Sequence, residues 1–158
     1  MNARHLHVVP DLSRDDALDP LIPEGTYSGV YVRHDLVSLR MFAGTYRLYI
    51  HLRIVDPGES FGTVLYRSYR VKAGRTRRTF IAPAKGDLFR TLSRLQPTTR
   101  LRRDQINVRA ALKGGIVKLT VRTVERDMKQ RELAPFCRYS VVDEILGFEH
   151  APHHRSEK

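Results

Sequence analysis

The chain has 158 residues, with 28 lysines and arginines against 17 aspartates and glutamates, and a single cysteine. That length fits one domain with a core of its own. A lone thiol excludes an intrachain disulfide, and no run approaches the ~18 apolar residues that cross a bilayer. No apolar stretch of signal-peptide length opens the chain, so a cytoplasmic protein without membrane contact is expected.

The net charge of +11 is unevenly spread. Residues 1–24 carry two arginines against five carboxylates, and residues 149–158 carry two of each sign. Residues 25–148 therefore hold 24 cations and 10 anions, a net +14. A domain that basic attracts polyanions, nucleic acid above all.

Residues 1–24 mix Pro10, Pro20 and Pro23 with an aspartate-rich patch and read as a flexible arm. Thr26–His34 is rich in tyrosine and valine and predicts a first strand. Thr45–Val55 is the clearest strand: Tyr46, Leu48, Ile50, Leu52 and Ile54 fall on one face, and Arg47, Tyr49, His51 and Arg53 on the other. Asp56-Pro57-Gly58 stops it with turn residues. Thr63–Val71 is a third strand, joined to the second by a short turn, so the three form an antiparallel meander.

The period then changes. Leu88, Phe89, Leu92 and Leu95 make one stripe of a helix over Asp87–Gln96, closed by Pro97. Asp104–Leu112 adds a further helical turn or two before Gly114-Gly115. Ile116–Val124 alternates again as a fourth strand. After a polar excursion, Glu125–Pro135, a short fifth strand lies around Arg138–Val142, and DEILGF (143–148) reads as a turn that packs Ile145, Leu146 and Phe148. Residues 149–158 read as a disordered tail. Cys137 is expected to fill a small buried site beside Phe136 and Tyr139.

Three strands, a helix and two strands is the element order of the five-stranded OB barrel, whose helix lies between strands 3 and 4. The expected class is all-β with one or two helices, an OB-like domain over residues 25–148; another small β-barrel or an α+β sandwich is the alternative. The run from Pro23 to Val71 resembles the first half of OB-fold single-stranded-DNA-binding proteins of bacteriophages and mobile elements. The resemblance rests on Gly25-Thr26-Tyr27, Ile54-Val55-Asp56, the strand after Gly62, the Gly115 to Val121 strand and the end at Tyr139-Ser140-Val141-Val142. It implies binding of single-stranded DNA in replication or recombination. The chain departs from many proteins of that role in ending HHRSEK, where they carry an acidic tail that recruits partners.

Candidate contacts follow from the alternation. With the aliphatic face of the second strand inward, Arg47, Tyr49, His51 and Arg53 stand outward, cations for phosphates and a ring for a base. Tyr31 and Arg33 extend that face on the first strand. On the third, Tyr66 and Arg70 share one face and Arg67 and Tyr69 the other, with either set able to face out and the other tyrosine buried. The loops that grip ligands in OB domains carry Arg40, Met41 and Phe42 between strands 1 and 2, and Arg126, Lys129 and Arg131 between strands 4 and 5. Arg75, Arg77 and Arg78 follow strand 3, and Arg100, Arg102 and Arg103 follow the helix.

No enzyme, metal or cofactor signature is expected. There is no H-E-x-x-H, paired-cysteine or phosphate-loop motif, and Asp56 explains itself as a turn residue. The sequence thus points to a binding module for single-stranded DNA, with RNA as an alternative ligand, and leaves homo-oligomerisation open. Two other readings stand beside it: a regulatory or interaction protein of a mobile element whose basic surface meets RNA or an acidic protein, and a metal-dependent nuclease using Asp35, Asp56 and Glu59.

Overall fold

A computed structural model describes residues 19–39 and 44–153 of the chain. The central strand folds as its alternation dictates: β2 (Thr45–Ile54) turns Leu48, Ile50, Leu52 and Ile54 inward, each at most 1% exposed. Each such side chain removed from water stabilises by roughly 1.5–3 kcal/mol. β1 (Gly25–Ser38) and β3 (Val64–Ala73) flank β2 antiparallel. The turn between β2 and β3 holds Gly58 at φ 134° and Gly62 at φ 82°, conformations that a Cβ disfavours.

β4 is only Phe80–Ile81, paired with Lys72 and Ala73 at the end of β3. Two residues carry no readable alternation, so periodicity gives no sign of it. β5 (Ile116–Val124) pairs with the first half of β1, over Gly25–Val30, and β6 (Tyr139–His150) pairs with β5. The result is one six-stranded antiparallel sheet in the order β4-β3-β2-β1-β5-β6. Val117, Leu119 and Val121 of β5 and Val142 and Ile145 of β6 complete the buried side. Gly29 of β1 is packed tightly against it: a Cβ there would sit 2.7 Å from Leu119 Cδ2.

Two helices cover that buried side. α1 (Asp87–Leu95) buries Leu88, Leu92 and Leu95, spaced four and three apart, and packs against both β3 and β6. Asp87 in its first turn and Arg94 in its last suit the helix dipole. α2 (Val108–Leu112) begins at Asn107, whose Oδ1 accepts the Ala110 N–H at 3.0 Å, and packs on β1. No described helix is long and apolar enough to cross a membrane.

Three expectations change. Six strands replace five, and the sheet is open where a closed barrel was expected. β3 and β6 line one groove, yet no ladder joins them among the described residues. Part of the edge of β6 there is taken: Ser140 N–H donates to Pro20 O at 2.9 Å, Ile22 N–H donates to Ser140 Oγ at 2.8 Å, and that hydroxyl donates to Ile22 O at 3.1 Å. Both helices lie between β4 and β5.

The third change is at the C-terminal side. Residues 143–148 are strand, not turn, because register shifts against β5 absorb extra residues. They bring both Val142 and Ile145 inward although the two are three positions apart.

Candidate nucleic-acid interface

The outward face of β1, β2 and β3 is set by cross-strand register. His51 lies between Arg33 and Tyr66, Tyr49 between Asp35 and Ser68, and Arg47 between Val37 and Arg70. Arg53 ends the face beside Val30 and Val64. The two-way choice on β3 is thereby resolved: Tyr66, Ser68 and Arg70 share the face of Tyr49. Tyr69 is 2% exposed in the core, with the Arg67 guanidinium 5.3 Å from its ring centre.

A bulge corrects the reading of β1. Register shifts between Tyr31 and Arg33, so one extra residue, Val32, turns the two to opposite faces. Arg33 joins the outer face; Tyr31 pairs with Leu52 and does not.

Tyr49 and Tyr66 meet edge to face, with ring centres 5.4 Å apart. Arg47 Nη1 donates to Ser68 Oγ at 3.4 Å beside them. His51 is 9% exposed and is held by Asp35, its Nε2 donating to Oδ2 at 3.0 Å, with its ring 6.1 Å from that of Tyr66. Burial, helped by Arg33, outweighs the Asp35 carboxylate and lowers the His51 pKa from its ordinary 6.5. His51 therefore supports the neighbouring ring as a neutral group and presents no charge to a ligand, contrary to the expectation that it stands in solvent.

The face continues into a groove of about 400 Å3 between β3, the end of β5, the β5–β6 loop and the start of β6. Tyr66 and Ser68 line one wall, Tyr139 and Val141 the other, and Arg122 and Arg126 the approach. Burial pushes the Tyr66 phenol far above 10, with Tyr139, Tyr49 and Asp19 adding to the effect. The ring stays neutral at all physiological pH.

The β5–β6 loop is a built turn. The backbones of Arg126 and Glu132 pair as an isolated antiparallel bridge, Gln130 adopts φ 63°, and the Asp127 carboxylate accepts the N–H groups of Lys129 and Arg131. Those bonds and the Arg131 guanidinium at 2.8 Å hold the Asp127 carboxyl below the usual carboxylate range. Arg131 is thus partly neutralised, while Arg126 and Lys129 make no salt bridge among the described residues.

Seven of the expected ligand-binding residues therefore share one face: Arg33, Arg47, Tyr49, His51, Arg53, Tyr66 and Arg70. Arg126 reaches the adjoining groove. Arg75, Arg77 and Arg78 are exposed on the turn between β3 and β4, beyond the Arg70 end of the face. Arg75 borders a separate pocket with Arg102, which is paired to Asp104 at 2.9 Å. Arg40 and Phe42 lie outside the described residues.

Tyr139 and Arg122 are groove residues that the sequence does not single out. Nothing in the alternation of Tyr139 with Val141 marks a ligand surface, and only the open seam gives that face an aqueous groove. Cys137 is exposed, as is Phe136, where a small buried site was expected for the thiol. Pro135 starts a 3-10 turn over Pro135–Cys137 that holds both outside the strand. Among the described residues no three His, Cys, Asp or Glu side chains gather as metal ligands. Comparison with protein-family models, curated proteins and solved structures finds no match for this chain.

Proposed function

We propose that the chain binds single-stranded nucleic acid, DNA first, with little sequence preference, across the outer face of β1–β3 and into the groove beside β6. The observation that carries this is the Tyr49–Tyr66 ring pair, flanked by Arg47 and Arg70 and continuous with Arg122 and Arg126. Every base has a π-face, so stacking on such rings is worth about 1–3 kcal/mol per base without reading sequence. Arg47, Arg70 and Arg126 supply phosphate contacts on either side, whereas Arg122 is paired with Asp143 at 3.0 Å.

The strand order supports an OB-like reading of the fold. Leaving aside β4, the neighbours run β3-β2-β1-β5-β6, the order of a five-stranded OB barrel whose last rung is left open. In that frame the ligand faces are strands 2 and 3 with the loop 125–138. The glycine and tyrosine resemblance suggests a place for such a protein in replication or recombination of a phage or mobile element.

Fluorescence anisotropy with oligo-dT, the matching duplex and oligo-U at two salt concentrations tests the proposal. Tight binding of the single strand is expected, with a log–log salt slope of about −0.7 per phosphate neutralised. Equal or tighter binding of the duplex rejects it. Preference for oligo-U moves the ligand to RNA.

A further inference from the structure

Past Val30, β1 leaves β5 and continues with β2 alone. The bulge at Val32 lies just beyond this fork, and α2 with Lys113 lies on its other side. The space between them is a pocket of about 350 Å3 lined by Tyr31, Val32, Arg33, His34, Arg109 and Lys113. We propose that this fork is a phosphate-binding site, in which Arg33, Arg109 and Lys113 hold the phosphate of a nucleotide or of a nucleic-acid backbone. It goes beyond the sheet-face reading: only Arg33 belongs to both surfaces.

Charge carries the argument. Arg109 and Lys113 are exposed and make no salt bridge among the described residues. The Asp35 carboxylate lies 3.8 Å from Arg33 and already accepts from His51 at 3.0 Å. Three cations thus share one pocket with part of one counter-charge, an arrangement whose mutual repulsion a bound dianion relieves. They come from β1, from α2 and from the turn before β5, so they approach the pocket from different sides.

The pocket floor is ordered for the same ligand. Tyr31 and His34 are hydrogen-bonded, hydroxyl to Nδ1, at 2.7 Å. With Tyr31 donating to Nδ1, the neutral imidazole carries its proton on Nε2 and keeps one N–H to offer. Burial, helped by Arg109, lowers the His34 pKa despite Asp35. The ring is therefore held neutral, and in the tautomer in which Tyr31 donates it has one N–H for an anion. The bulge is what makes this possible, since it sets Arg33 and Tyr31 on opposite faces of one strand edge while both border the same space.

The test titrates the full chain with inorganic phosphate, thymidine 5′-monophosphate and thymidine, followed by calorimetry or NMR. Phosphate and the monophosphate are expected to bind and thymidine not to bind at the fork. Arg109→Gln with Lys113→Gln should weaken phosphate at least tenfold without lowering the melting temperature, and Arg109→Lys with Lys113→Arg should restore it. Tyr49→Ala should leave it unchanged. Oligo-dT with and without a 5′-phosphate separates the two sources of the ligand. A terminal phosphate gives tighter binding of the phosphorylated strand. A backbone phosphate gives equal binding, with a salt slope shallower by about 0.7 for each phosphate that the double glutamine variant leaves unneutralised.

Phosphate that fails to bind, or binds the double glutamine variant as well as the native chain, overturns the proposal. So does loss of phosphate binding on Tyr49→Ala, which would put the ion on the sheet face. Phosphate binding that survives while oligo-dT fails to bind removes only the sheet-face reading.

Discussion

The rings of Tyr49 and Tyr66 meet edge to face across β2 and β3, 5.4 Å between centres, and the geometry gives them different jobs. Tyr66 is wedged between Tyr49, His51 and the Tyr139 side of the groove, so its ring is braced. Tyr49 is half-buried on the outer face, braced by Tyr66. Replacing Tyr49 with alanine should weaken oligo-dT binding by about 1–3 kcal/mol, read by anisotropy, while Tyr49→Phe keeps the ring and the affinity. Equal affinity of native chain and alanine variant would show that bases stack elsewhere.

The β5–β6 loop offers an internal control. Arg126 and Arg131 both lie on it, but only Arg131 is tied to a carboxylate, through Nε and Nη2 to Asp127 at 2.8 Å each. Arg126→Gln should therefore flatten the salt dependence of single-strand binding by about 0.7 in log–log slope. Arg131→Gln should flatten it by less. The two titrations are run over the same salt range. A larger effect at Arg131 would mean that Asp127 releases it on binding.

Legibility follows the strength of the local pattern. Thr45–Ile54 is readable because four aliphatic residues alternate without interruption, and with it come the outward Arg47 and Tyr49. The helix is readable from Leu88, Leu92 and Leu95. Periodicity misplaces Tyr31 because a bulge is a one-residue event, invisible in a period of two. It cuts β6 short because Val142 and Ile145 break alternation, and register shifts against β5 are a property of the pair. The groove leaves no trace in the sequence at all. It exists because β3 and β6 approach without pairing, and the residues that line it lie about seventy positions apart.

Two histidines set a pH dependence of stability with a definite sign. His34 and His51 both have pKa values lowered below 6.5 in the folded chain, chiefly by burial. The unfolded chain then takes up protons first as pH falls, so the stabilising contribution is full above about 6.5 and is lost as pH drops through the folded values. Urea denaturation between pH 7.5 and 5.5 should show stability declining with acidification. His51→Gln and His34→Gln should each flatten the decline. A rise in stability over that window would mean that the Asp35 carboxylate, which favours the charged ring, outweighs burial.

A small polar anchor at Ser140 occupies part of the β6 edge at the open seam. Its hydroxyl accepts from Ile22 N–H and donates to Ile22 O, while its own N–H donates to Pro20 O. Ser140 is 2% exposed and Ile22 8%, so removing the hydroxyl leaves buried backbone groups without partners. Ser140→Ala should cost about 1–3 kcal/mol in chemical denaturation. The variant also tests the groove, because Ser140 adjoins Tyr139. With Pro20–Ile22 loosened, the edge of β6 is freer to pair with β3 beside Tyr66 and Tyr139, whose hydroxyls already interact, and so to close the groove. Affinity for oligo-dT should then fall further than Arg126→Gln lowers it, with the salt slope unchanged because no cation is removed. A fall in affinity accompanied by a flatter slope would place the loss in phosphate binding and detach the anchor from the groove.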